Sequence, residues 1–525
     1  MPQYLFPNRM VCGFGDTHPS TLRTDIFRYM IQNARTHGKS EEERKFTAML
    51  KLFDPSSSLP VAERGKAPVA ITSFFAGKPL VLDEKVKAGQ VDDYVTPTFY
   101  APNVSWLVQR NGMNPRHSLM VSLNGSEGNH MHANGISMEL YGKGYVLGPD
   151  AGIGKTLYQG LDYLEYYSQF PSHNTVCVDG ISSYPVMKSN HSFKLRALYP
   201  AAGERLPYQP ISYSEVYFRE PETFADQTRL NGIVNVGDSA GYYIDIFRSR
   251  KVEGGDKMHD YFYHNLGQQM TLTAADGSEL GLQPTQELAF AGAHLYAYSY
   301  IYNKKRAVTS KDVKAGFTIQ MPDKDDITMN LWMKGEEGRE IFSALSPMTE
   351  GLSRIKNMPY SIKDQPTLTF VARQKGEAWN RPFVAVYEPS TVKEPSCIAA
   401  VDYPQVKSEQ QGSHVGIRVA LTNGNVDWIL SSDENAHHCK LEELQARAGY
   451  ALCRQSEKGE TIQAFLGNGT QLEADGVSIR TDAPADVLLL KQDGKWMYTA
   501  TAPCRVVVGK KKYTLSVSKE LRLLK

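Results

Sequence analysis

The sequence predicts a mainly β protein: a large antiparallel β-sandwich followed by a smaller C-terminal β-domain. Three observations predict it. After about residue 66 the apolar pattern takes a period of two, in short runs rich in β-branched and aromatic residues. Turn pairs separate these runs, as at Asn111-Gly112, Asn124-Gly125 and Asp179-Gly180. Helical periodicity is confined to the first sixty residues or so.

That helical part comes first. Residues 21 to about 36 place Leu22, Ile26, Tyr29, Met30 and Ala34 on one stripe. Ser40 with Glu43 reads as a capping box opening a second helix that ends near Leu52. The breaker cluster Asp54-Pro55-Ser56-Ser57-Ser58 follows. Residues 1–60 therefore form a short helical unit, too small to be a domain alone.

The expected strands include residues 79–83, 105–110, 118–123, 136–140, 175–178 and 242–247, and the domain they build spans 66–400. The polar stretch 402–412 (DYPQVKSEQQG) marks a boundary. Strands resume at 415–421, 426–430, 487–490 and 505–508, giving a C-terminal β-domain over 405–525. No repeat of 20–50 residues and no low-complexity tract is present.

Composition narrows the function classes. Of 525 residues, 41% are apolar and 22% charged, as in a globular protein. The net charge of +1 gives no support to nucleic-acid binding. A local basic cleft for an acidic polysaccharide stays open, because net charge does not report it. The 29 Tyr suit sugar stacking, although β-rich proteins carry many Tyr in any case. Six Cys are scattered without a CxxC pair, which fits buried thiols or at most one or two disulfides. No signal peptide is seen at the start of this chain, and no apolar run is long enough to span a membrane.

The densest chemical cluster is Gly128-Asn129-His130-Met131-His132-Ala133-Asn134-Gly135. In an extended chain His130 and His132 point to the same side. A hairpin around residues 141–144 would bring Asp150 back beside His132, and His173 opens the next strand. Two imidazoles and a carboxylate suit zinc, with a fourth position for water. On spacing alone, hydrogen-bonded core or surface histidines are the commoner explanation of such a cluster.

Arg248, His259 and His264 form a second group, a candidate substrate-binding set lining a cleft. The other reading is a strand-end turn in which His264 satisfies backbone groups. His437-His438 beside Cys439 reads as an exposed loop pair without a role. No GxSxG, P-loop, HExxH or dinucleotide fingerprint occurs.

Taken together, residues 129–135, Ser137-Met138-Glu139-Leu140, Gly144, Pro149-Asp150-Ala151-Gly152, His173-Asn174-Thr175-Val176 and Asp179-Gly180 resemble the heparinase II/III-like domain of polysaccharide lyases. Phe14-Gly15-Asp16, Asp245, Arg248, Gly254-Gly255, His259 and His264 fit the same pattern. The resemblance covers roughly residues 10–270. It implies an N-terminal α/α toroid, of which 1–60 would be a remnant, followed by antiparallel sandwiches. It implies a structural Zn²⁺ on His132, Asp150 and His173, a catalytic role for His130, and a periplasmic or secreted location. The implied reaction is β-elimination at a uronic acid of a glycosaminoglycan-like glycan. The base and carboxylate neutraliser of such enzymes lie on toroid helices, so this chain is expected to carry the β half of the site and to need a toroid segment as partner. A non-catalytic carbohydrate-binding protein that keeps the metal as a staple is the alternative. A zinc hydrolase is a third reading, weakened by the lack of an obvious general base.

Overall fold

The computed structural model describes residues 2–13, 15–58, 80–154, 161–182, 188–289, 296–322, 324–352, 358 and 360–525. Two helices, α1 (Asp25–Thr36) and α2 (Ser40–Phe53), stand at the N-terminal end. Their shared core is Phe27, Ile31, Met49 and Leu50, with Leu82 packed against it. The buried face of α1 is thus Phe27, Ile31 and Ala34, whereas Tyr29 is exposed. Of the expected stripe Ala34 is buried and Leu22 and Ile26 pack against this core, while Phe27 and Ile31 hold its centre. The capping box does not form: Lys39 is the N-cap of α2, and Glu43 instead accepts from Arg35 of α1 at 2.9 Å. Pro79 lies outside the described residues, and residues 80–83 join no ladder, since Leu80 and Leu82 pack on the helices.

The remainder is antiparallel sheet. A five-stranded sheet runs in the order Thr98–Ala101, Trp106–Arg110, Met120–Asn124, Ser137–Gly142, Tyr145–Gly148. The N-terminal segment lies on it, with Tyr4 stacked on Trp106 at 4.0 Å and Phe6 on Tyr141 at 5.7 Å. A six-stranded sheet contains Met258–Asn265 between Val176–Val178 and Thr367–Lys375.

An eight-stranded sheet sits in the middle of the molecule, with Gly241–Lys251 between Ala225–Asn235 and Ala378–Thr391. Its faces bury different cores. Tyr243 and Phe247 join the core shared with the five- and six-stranded sheets. Tyr242, Ile244 and Ile246 join a second core with Ile417, Val419, Ile429 and Leu452 of the C-terminal domain. Strand alternation sends neighbours to opposite faces, and both are apolar here because both are covered.

The C-terminal sheet has twelve strands and runs from Ile398–Asp402 to Ser518–Leu523. All six Cys are buried free thiols. No helix among the described residues is long and apolar enough to cross a membrane.

Candidate metal centre and adjoining histidine

The site is assembled where three segments converge on the open end of the five-stranded sheet. The hairpin Ser137–Gly142/Tyr145–Gly148 returns the chain so that Asp150 lies beside the loop 130–135. A short turn, Phe170–Ser172, then presents His173, whose N–H donates to the Phe170 carbonyl at 3.0 Å. The N-terminal segment closes the third side. Gly13 lies so close to Asp150 that a Cβ there would stand 2.5 Å from the Asp150 Cβ. Gly15 has φ +53° and no room for a side chain against the His130 carbonyl, so only glycine fits.

His132, Asp150 and His173 are all buried, and one ligand atom from each lies within 4.8 Å of the others. Their hydrogen bonds leave lone pairs facing inward. His132 Nε2 donates to Asp16 Oδ1 at 3.0 Å, and its Nδ1 is buried without a partner. His173 Nδ1 donates to Asp150 Oδ2 at 3.0 Å, and its Nε2 is likewise buried and unpaired. A buried imidazole nitrogen with no donor costs free energy unless something binds it. Two such nitrogens beside a carboxylate are a donor set that fits zinc, with Asp16 as the outer carboxylate that fixes the His132 tautomer. Burial works against ionising Asp150, but the imidazoles of His173 and His132 hold its pKa below the ordinary carboxylate value.

Asp16 gathers three donors. Besides His132 it accepts from His130 Nδ1 at 2.9 Å and from the Tyr163 hydroxyl at 2.5 Å. Burial opposes its ionisation, yet the bonds from His132 and Tyr163 lower its pKa. His130 itself is 62% exposed at the side chain, whereas His132 is fully covered. The two do not lie in a strand, although the extended-chain reading assumed one. The strand ends at Asn129, His130 has φ +60°, which turns the chain, and both rings reach the Asp16 carboxylate, one on each oxygen. A further carboxylic acid lies beneath the site. Glu139 accepts from Gly13 N–H at 2.9 Å and from Asn124 at 3.1 Å, and burial beside the Asp150 charge pushes its pKa up to about 8.

The second predicted group is placed elsewhere. Arg248, His259 and His264 are buried, so none offers a surface to a glycan. Arg248 donates to Ser413 Oγ at 2.8 Å and to Ser431 Oγ at 3.1 Å in the C-terminal domain. His259 is held between Ser249 Oγ and Asp256, each at 2.8 Å. His264 leans on Asn174 at 3.2 Å, and burial followed by repulsion from His173 depresses its pKa to about 3, so it is a neutral wall of the centre. All three stand on central strands covered on both faces.

Asp16, Tyr163 and Arg229 were missed as site residues. Arg229 donates to Asp245 at 2.8 and 2.7 Å, and to the carbonyls of Ile136 and Asn174 at 2.6 Å each, so it pins both segments that carry the centre. Asp16 had a sequence signal in the Gly15-Asp16 step. Phe14 lies outside the described residues.

No family model matches the chain. Over 515 residues it is 27% identical to an endo-acting ulvan lyase of Formosa agariphila, in a match covering 91% of this chain and 60% of that protein. The chain is thus similar in sequence to a polysaccharide lyase. It spans about three-fifths of the length of that curated relative. Among solved structures, a heparinase III is 13% identical with a TM-score of 0.45, over 80% of this chain and 49% of that one. The heparan sulfate lyase of Pedobacter heparinus is 12% identical with a TM-score of 0.40, over 80% of this chain and 50% of that one.

Proposed function

We propose that this lyase relative contributes the β half of the active site in β-elimination on a uronate-containing polysaccharide. Zn²⁺ held by His132, Asp150 and His173 would serve as a structural ion, fixing the loop that bears His130. The observation that carries this reading is the exposed His130 imidazole, held at Nδ1 by the buried Asp16 carboxylate. That bond orients the ring and leaves its other nitrogen for proton transfer.

In the proposed reaction a base takes the C5 proton of the uronic acid. The electron pair moves through an enolate-like carboxylate to form the C4–C5 double bond. The C4–O bond breaks, and the leaving oxygen takes a proton. His130 is assigned one of these two proton transfers. Neutralising the substrate carboxylate is assigned to a helical toroid partner, as the resemblance implies.

The relative's name gives ulvan as its substrate, so ulvan heads a test panel with heparan sulfate, chondroitin, hyaluronan and alginate. The chain is incubated alone and with a toroid domain supplied in trans, and unsaturated ends are followed by ultraviolet absorbance. The expected result is little turnover alone, and turnover with the toroid that is lost in His130→Ala. Affinity for the glycan without unsaturated product in either arrangement would overturn the proposal in favour of a binding protein.

A further inference from the structure

We propose that His414, Asp433 and His437 form a second divalent-metal site of zinc type, at the seam between the eight-stranded sheet and the C-terminal domain. It is separate from the centre at His132 and does not depend on the lyase reading.

The backbone brings the three residues together independently of any ion. His414 opens the strand His414–Leu421, whose register pairs it with Ser432 of the neighbouring strand Val426–Ser432. Asp433 follows directly, and its N–H donates to the Ser413 carbonyl at 3.1 Å. A turn then lifts His437 back over the strand end, its N–H donating to the Glu434 carbonyl at 3.2 Å. Gly412 makes room for this. A Cβ there would stand 2.8 Å from Asp433 Oδ1 and 3.0 Å from the His437 ring.

The donor atoms then have the geometry of a chelate. His414 Nε2 and His437 Nδ1 are 3.2 Å apart. Two nitrogens on one tetrahedral zinc, each at about 2.0–2.1 Å, stand roughly 3.3 Å apart. Asp433 completes the set, with one ligand atom from each residue within 4.8 Å of the others. The carboxylate is also braced from outside, as metal-bound carboxylates commonly are. Oδ1 accepts from Ser413 N–H at 3.0 Å, and Oδ2 accepts from the Trp379 indole at 2.7 Å. Each oxygen keeps a lone pair. Trp379 belongs to the strand Ala378–Thr391 of the eight-stranded sheet, so the braced ligand ties the two domains. The three residues are half-buried, open enough for a metal to enter and covered enough to stay ordered. One nearby positive charge, Arg248, is buried and engaged with Ser413 and Ser431.

The competing explanation is a plain hydrogen bond between two neutral imidazoles. Zinc counting separates the two. The full chain is stripped with chelator and dialysed against Zn²⁺ alone, in the parent and in His132→Ala. His437→Gln and His414→Gln are then made in both backgrounds. The expected result is one zinc equivalent fewer, or at least a tenfold weaker second affinity, for both variants in either background. Co²⁺ substituted at the site should lose the corresponding visible band. Melting in chelator should match the parent, and if one variant melts early the other decides. Unchanged zinc number and affinity in the folded variant would overturn the proposal and leave the imidazole pair as a hydrogen bond.

Discussion

Asp16 Oδ1 lies 3.0 Å from His132 Nε2, across 116 residues of sequence. The contact decides which nitrogen of His132 is bare, and so which one faces Asp150 and His173. Replacing Asp16 with Asn keeps the size and removes the charge that stabilises the N–H tautomer. Metal affinity of Asp16→Asn should fall by about 10–100-fold, as for other losses of a carboxylate behind a metal-bound histidine. Competition against a chromophoric chelator measures it. An unchanged affinity would mean the tautomer is set by something else.

His130→Ala should separate the two proposed roles of the loop. The metal content should stay at the parent value, since His130 Nδ1 contacts Asp16 and not the ligand pocket. Turnover of the chain with a toroid domain supplied in trans should fall by about 10²–10⁴-fold, the usual worth of one general acid or base. Elemental analysis and the absorbance assay on the same preparation check both halves.

Arg229→Met should be among the most damaging substitutions in the molecule. It strands the fully buried Asp245, which would keep only Asn231 at 3.0 Å and Tyr261 at 2.6 Å. Breaking one side of a buried pair costs about 3–5 kcal/mol. It also releases the carbonyls of Ile136 and Asn174, so metal affinity should drop together with stability. Denaturant melts with and without chelator would show both effects. The double change Arg229→Met/Asp245→Asn should recover part of the stability and little of the affinity.

Acid sensitivity should have a component at Glu394. Partial burial works against its ionisation, but Lys143 and Arg116, each at 2.8 Å, draw its pKa down from 4.5 to about 2. A lowered folded-state pKa gives stability that is present above the unfolded value and disappears as pH falls through the folded one. The window is therefore pH 4.5 down to about 2. Allowing for solvent screening of a partly exposed group, the contribution is about 1 kcal/mol. Glu394→Gln should be less stable than the parent by that amount above pH 5 and equal to it near pH 2, in melts run across the range.

How much of this was legible depended on how local each feature was. The hairpin that returns Asp150 could be read because its turn and both strands are contiguous. The helices were found, but not the buried face of α1, which is set by where α2 happens to lie. The misassignment of Arg248, His259 and His264 has one cause. Charged and imidazole side chains in a strand suggest an exposed edge, and here the strands are central, with each polar group satisfied by a distant partner such as Ser413. Asp16 was legible only as part of Phe14-Gly15-Asp16, and its role could not be read because its partners lie more than a hundred residues away. His437 was passed over because its companion His414 is on another strand, and a sequence shows pairs along the chain rather than across it.

The central eight-stranded sheet, apolar on both faces, leaves the molecule no natural place to be divided. Cutting between Thr391 and Ile398 would strip Tyr242, Ile244 and Ile246 of their cover on one side, and Ile417, Val419 and Ile429 on the other. Each half would carry an adhesive surface whose best complement is the other half. Nicking there should give two pieces that stay together through a gel-filtration column, whereas either piece made alone should aggregate. The sandwich and the C-terminal domain would then fold and unfold as one unit.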